Sequence, residues 1–358
     1  MEINRRSLLK GALTASFIHN IPSAWAADDI AYVTTGRTAD RSYLAYMLGH
    51  AGEIISSFPL DHRCHGIATS TDIKTAVIFS RRPGRFATVL NLVTKKPEFS
   101  FTPPDNRRFY GHGVFSKEGQ FLFATENDFR NEKGVLGIYD ASDHFRRIGE
   151  IDSGGIGPHE IILSHDGKTL IVANGGILTH PDYPRQKLNL PDMEPSIAFI
   201  DVSSREIETV LTLSTNLHQV SLRHLAGDKT GNIWIGGQYQ GPKSDPVPLF
   251  FKINRQRRIL EALNLPTDSG LRLKQYIGSV ATNEDGSRVA FSAPRGDLVS
   301  IWECATKREV QQIKQTDACG LAGLNRDFLV SAGDGSLFTS AGVRRAHTIN
   351  WDNHMTAL

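Results

Sequence analysis

Cysteine is scarce in this chain: Cys64, Cys304 and Cys319 are the three found among 358 residues. An odd trio cannot build the disulfide framework that staples small secreted domains, so stability has to come from a large buried core. Charge bias is missing too, with 40 Lys and Arg against 38 Asp and Glu. A chain without a basic footprint is not equipped to bind nucleic acid. No stretch reaches the roughly 18 consecutive apolar residues of a membrane-spanning helix, and no long stretch repeats with helical periodicity. These absences leave a soluble, strand-rich globular protein.

The first residues are of a different kind. Asn4-Arg5-Arg6-Ser7-Leu8-Leu9-Lys10 precedes a weakly apolar run from Gly11 to Ile18, and Ala24-Trp25-Ala26 supplies a small-residue cleavage site. This resembles a twin-arginine export signal, departing from its usual form at Asn4, where Ser or Thr is preferred, and at Leu8, where Phe is. The resemblance implies a leader over residues 1–26, a single domain over residues 27–358 and a periplasmic location. It also implies export in the folded state, a route that often serves proteins loaded beforehand with a metal or cofactor. Removal of the leader takes away Arg5, Arg6, Lys10 and Glu2 and leaves the mature chain formally neutral.

What remains is repetitive. Thr88–Lys96, Gly137–Ser142, Ala198–Glu206 and Ser300–Arg308 each read as an alternating apolar strand followed by a polar turn and a second strand rich in Val, Ile and Leu. Upstream lie three copies of a turn flanked by strands: Ser116-Lys117-Glu118-Gly119, Ser164-His165-Asp166-Gly167 and Asn283-Glu284-Asp285-Gly286. Glycine there supplies the positive φ of a tight hairpin. Together these units give four strands per repeat of about 35 to 60 residues, the period of a β-propeller blade.

Innermost strands are expected to begin near residues 65, 112, 159, 219 to 224, 279, 319 and 354. The last of these leaves one strand at the C-terminus, while the N-terminus supplies three, near 30–34, 42–47 and 53–58. A blade shared by both chain ends would close the ring and remove exposed sheet edges. The expected fold is therefore an all-β, seven-bladed propeller, with six or eight blades open because boundaries slip easily.

Several motifs stand out against the generic blade pattern: Cys64-His65-Gly66-Ile67-Ala68, Gly111-His112-Gly113, Thr125-Glu126-Asn127-Asp128, Gly157-Pro158-His159-Glu160, Val172-Ala173-Asn174-Gly175-Gly176 and Ser221-Leu222-Arg223-His224. In these, nearly the whole mature chain resembles the domain-of-unknown-function family 1513, bacterial propellers carrying twin-arginine signals. The resemblance implies no settled activity. Members often lie beside imelysin-like and haem-peroxidase-like proteins, which implies iron-uptake or redox proteins of the periplasm as partners and is no guide to chemistry.

The candidate site follows from topology. Innermost strands start at one face of a propeller, and the loops between second and third strands return to it. Side chains from His65, His112, His159, Glu160, His224 (with His218 as the competing register) and His354 should therefore converge on the channel mouth. Imidazoles with one carboxylate suit Fe, Cu or Zn. Arg37, Arg81 and Arg223 are placed for anionic groups, and Arg82, Glu126, Asn127, Asp128, Asn174, Gln238, Arg295 and Asp334 lie at the equivalent loops. Cys319 takes the position of a histidine in its blade, as a thiolate ligand or a small core residue. Against the metal stands a purely structural reading, in which each histidine hydrogen-bonds the neighbouring blade. A slip of one residue would point any of them to the other face.

The glycines beside these residues, among them Gly66, Gly111 and Gly157, read as blade packing or as close backbone approach. Gly154-Gly155-Ile156-Gly157 lacks the strand-to-helix context of a nucleotide loop. The insertion between Asn174 and Ser196 is long for a compact repeat, which points to a lid or docking element; Tyr239 to Pro248 is a shorter one beside it. Three functions are consistent with these residues: a metal-handling binding protein, a lactonase-like hydrolase using Glu126, Asp128 and Glu160 with a metal, or a docking scaffold without a small-molecule site.

Overall fold

The three glycine-containing turns fold alike: Gly119, Gly167 and Gly286 take φ of +74°, +77° and +69°, and each donates its N–H to the carbonyl three residues back, at Ser116, Ser164 and Asn283. Each turn thereby reverses an innermost strand into the second strand of its blade. The computed structural model describes residues 29–81, 84–183, 186–254, 256–263 and 269–358. The export signal expected over residues 1–26, and Arg82, lie outside the described residues.

The described strands form seven four-stranded antiparallel sheets, each running in sequence order from the axis outward. The exception is the closing blade. There the C-terminal strand Ile349–Ala357 lies innermost, followed by Tyr32–Thr38, Tyr43–Leu48 and Ile54–Leu60. Tyr32 pairs with Ala357 and Thr38 with Ile349, so the two chain ends close the ring as expected. Six further innermost strands surround the axis: Cys64–Thr69, Arg107–Phe115, Pro158–Leu163, Val220–Gly227, Ser279–Thr282 and Ala318–Leu324.

Two of these strands begin earlier than the sequence pattern implies, at Arg107 and Ile349. Both carry buried apolar residues ahead of their histidine: Phe109 packs edge-on against Phe79 at 5.3 Å, and Trp351 against Tyr46 at 5.1 Å. The core is distributed as slabs between adjacent blades. One joins Phe79, Phe109, Phe115, Tyr139 and Phe145; another joins Trp234, Phe250, Phe291 and Trp302, with Phe250 stacked on Phe291 at 4.1 Å. Each such buried ring contributes roughly 2–3 kcal/mol, which explains how the fold dispenses with disulfides. All three cysteines are free and buried. Among the described residues no helix is long and apolar enough to cross a membrane.

Candidate metal centre

Five of the seven innermost strands place a histidine at an irregularity of their ladder. The pairing register shifts between Cys64 and Ile67 around His65, between Phe109 and Gly113 around His112, between Pro158 and Glu160 around His159, and between Leu222 and His224. His354 lies where Ile349–Ala357 slips against Tyr32–Thr38. A bulge adds one unpaired residue and re-aims the side chains around it. That is how adjacent residues, His159 and Glu160, both serve the channel. The strand Ser279–Thr282 pairs without a shift and contributes no ring.

The five imidazoles form a cage. His65 lies 4.7 Å from His112, 5.1 Å from His159 and 4.4 Å from His354 between ring centroids. His224 lies 4.9 Å from His159 and 5.1 Å from His354. Two trios share His112: in each of His65, His112, His159 and His112, His224, His354, one ligand nitrogen per residue lies within 4.8 Å of the others. Nitrogens on one tetrahedral ion stand about 3.3 Å apart for bonds of about 2 Å, so either trio could hold a metal after modest ring rotation.

Close packing around the cage depends on two glycines. A Cβ on Gly66 would lie 2.5 Å from the carbonyl oxygen of Gly111, and one on Gly111, where φ is +107°, would lie 2.8 Å from Cδ2 of His65. Close approach, more than generic blade packing, accounts for both.

Burial pushes every one of the five imidazoles down, His112 and His224 to about 3 and the other three well below the ordinary range. Their mutual proximity and the charges of Arg81 and Arg223 act in the same direction. All five are therefore neutral near pH 7, and each keeps a lone pair ready for a metal without first losing a proton.

The trio of His112, His224 and His354 is the better prepared. His224 donates from Nδ1 to Oε2 of Glu160 at 3.0 Å, which leaves its Nε2 as the acceptor nitrogen. His112 places Nδ1 3.9 Å from Oε1 of the same carboxylate. The Nε2 atoms of His112 and His354 are buried without a hydrogen-bond partner, a costly state for a polar atom. Glu160 was expected as a ligand; the structure puts it behind two rings, where it also accepts the N–H of Leu225 at 3.1 Å. This is the carboxylate–histidine arrangement that fixes a tautomer for metal binding. Burial raises the Glu160 carboxyl, opposed by His112 and the Leu225 N–H. In the other trio, His65 and His159 already approach at 3.5 Å between Nε2 atoms, while Nδ1 of His159 faces Nη1 of Arg223 at 3.4 Å.

Three rings of the cage, His65, His159 and His224, line a cavity of about 720 Å³ together with Arg81, Arg223, Gln238 and Arg295 among others, while His112 and His354 lie beneath them. Other expected site residues are used elsewhere. Arg37 is exposed, with Nη2 3.4 Å from Oδ1 of Asn350, and does not line this cavity. Glu126 accepts from Tyr139 and Arg147 inside its blade, and Asp128 pairs with Arg107 at 2.9 Å. Asn174 bridges Ser153 and Ser196, and Asp334 binds Ser336 and Gln315. Cys319 donates from Sγ to the Asp317 carbonyl, and burial drives its thiol upward, away from thiolate character. His218 is held at Thr215. Three residues that sequence reasoning missed, Lys187, Lys243 and Lys274, line the cavity from loops.

The insertion after Asn174 forms part of the rim. Asn127 donates to the Thr179 carbonyl at 2.9 Å, Asn189 ties Gly176 to Leu178, and Gln219 donates to the Leu190 carbonyl. Ile177, Thr179 and Lys187 face the cavity.

Fold and site together define a seven-bladed propeller whose channel is filled by a cage of imidazoles able to hold a metal. The chain belongs to the family described as "Protein of unknown function (DUF1513)", which matches residues 58–358. No curated protein matches it. Among solved structures, hydrazine synthase of Kuenenia stuttgartiensis is similar with a TM-score of 0.63 at 12% identity, over 87% of this chain and 96% of that one. At that identity the likeness is one of fold alone.

Proposed function

We propose that this protein binds a transition-metal ion in the propeller channel through Nε2 of His112, His224 and His354, with Glu160 orienting the rings and His65 and His159 completing the cage. The observation that carries the reading is the pair of buried, unpartnered Nε2 atoms of His112 and His354, on two rings grouped with His224, whose tautomer Glu160 sets. Fe, Cu and Zn are the ions that a neutral imidazole set favours. With three protein ligands the ion would keep a fourth position, the pattern of sites that exchange a ligand, and His224 is the ligand of this trio that reaches the cavity. The reading includes export to the periplasm by the twin-arginine route, supported by Arg5 and Arg6 in the leader, and takes iron-handling or redox proteins as partners on the family resemblance alone.

Elemental analysis of the protein exported through its own leader, beside His112→Ala/His354→Ala, tests it. One equivalent of metal in the parent and a loss of at least ten-fold in the folded variant are expected. Equal metal content in both, or none in either after reconstitution, would overturn the reading.

A further inference from the structure

The walls of the cavity carry charge of one sign. Arg81, Lys187, Arg223, Lys243, Lys274 and Arg295 line it, and among the described residues no Asp or Glu does. Carboxylates beside the lining residues are engaged: Glu160 binds His224 from behind, Asp352, on which Arg81 acts, is ion-paired with Arg63, and Asp245 accepts the Tyr239 hydroxyl at 2.7 Å. The six cations come from different parts of the ring. Arg81 and Arg295 follow second strands of two blades, Arg223 rises from an innermost strand, Lys187 belongs to the insertion, and Lys243 and Lys274 lie on the loops beside Gln275, whose amide holds the carbonyls of Pro242, Lys243 and Asp245. Arg295 is laid over the Tyr276 ring at 4.1 Å, so its guanidinium is held in place.

This charge conflicts with a metal cation on the floor unless something offsets it. A divalent ion held by neutral imidazoles brings two positive charges into a buried site where Glu160 supplies one negative charge, with Arg81 and Arg223 acting on the same rings. A buried charge needs compensation by a partner. A lone small ion such as chloride could balance the floor but not span a bowl of about 720 Å³. That volume is in the range of sites for small organic ligands. Planar guanidinium groups at Arg81, Arg223 and Arg295 match the geometry of carboxylates.

Resting on the metal reading above, we infer that the cavity takes a small di- or tricarboxylate, one carboxylate of which completes the coordination of the channel metal while the others are held by Lys243, Lys274 and Arg295. The protein would thus bind metal and anion as a pair, each favouring the other because each neutralises the charge the other meets.

Cobalt(II)-loaded and metal-free protein, titrated with malonate by calorimetry and followed in the visible cobalt spectrum, test the pairing. Malonate should bind the loaded protein at least ten-fold more tightly, shift the cobalt bands and weaken as salt rises. Lys243→Gln/Lys274→Gln/Arg295→Gln should lose at least ten-fold in malonate affinity, and neutral dimethyl malonate should not bind. Loaded protein that ignores malonate, or binds it no better than metal-free protein and with unchanged cobalt bands, would overturn the carboxylate inference alone. Failure to take up cobalt, seen before any malonate is added, would sink the metal reading and the pairing with it.

Discussion

Metal-free protein should lose stability steeply on mild acidification, and the size of the loss follows from the five caged imidazoles. In the unfolded chain each titrates near pH 6.5. In the folded protein His112 and His224 titrate at about 3, and His65, His159 and His354 lie well below their ordinary value. Between those limits the unfolded chain binds more protons than the folded one, so stability falls as pH falls. At about pH 5.5 each imidazole that stays neutral in the fold costs roughly a ten-fold factor in the folding constant. His112 and His224 together then cost about 3 kcal/mol, and all five about 7 kcal/mol, comparable with the whole stability of a typical domain. Glu160 works the other way, since burial raises its carboxyl, as it raises those of Glu126, Asp317 and Asp352, and these four offset part of the loss from the five rings. Urea melts of chelator-treated protein at about pH 7.5 and 5.5 measure the difference, and ring-proton NMR follows each imidazole. Equal midpoints at the two pH values, or rings in the folded protein titrating near 6.5, would refute the reasoning.

Other outcomes follow from the same geometry. Glu160→Gln keeps an acceptor for Leu225 but loses the carboxylate behind His224, so metal affinity by competitive chelator titration should fall about 10- to 100-fold with the fold intact. Gly111→Ala meets both a positive φ and the His65 ring, whereas Gly119→Ala meets the φ alone with open space around it; the first should cost about 1–3 kcal/mol beyond the second in urea melts. Arg147→Met strands the buried Glu126 carboxylate and should cost about 3–5 kcal/mol at neutral pH. That loss should shrink toward pH 5, because a carboxyl raised by burial favours the folded state more as protons become available.

The blade architecture was legible because its signals are local. The turns at Gly119, Gly167 and Gly286 need glycine whatever lies around them, and the alternation of each hairpin reports one buried face. The channel histidines could be gathered by position, but their aim could not. His159 and Glu160 were both expected at the channel, but counting by twos cannot register the extra residue that turns them there, so it could not show that Glu160 stands behind His224. Strand starts at Arg107 and Ile349 were missed because Phe109 and Trp351 sit on the far side of the bulges from their histidines. Glu126 and Asn174 look like site residues at equivalent loops, yet their partners, Arg147 and Ser153, are set by tertiary contacts that no motif encodes. Lys274 lies in a connection without periodicity, and nothing in the surrounding sequence marks it as facing the cavity.

Anomalous diffraction from crystals of the loaded protein, at the absorption edge of the metal found, tests the central claim most directly. The account predicts one strong peak on the channel axis about 2 Å from Nε2 of His112, His224 and His354, with Glu160 remaining behind the rings. Loaded crystals with the five imidazoles in place and no peak among them would contradict it.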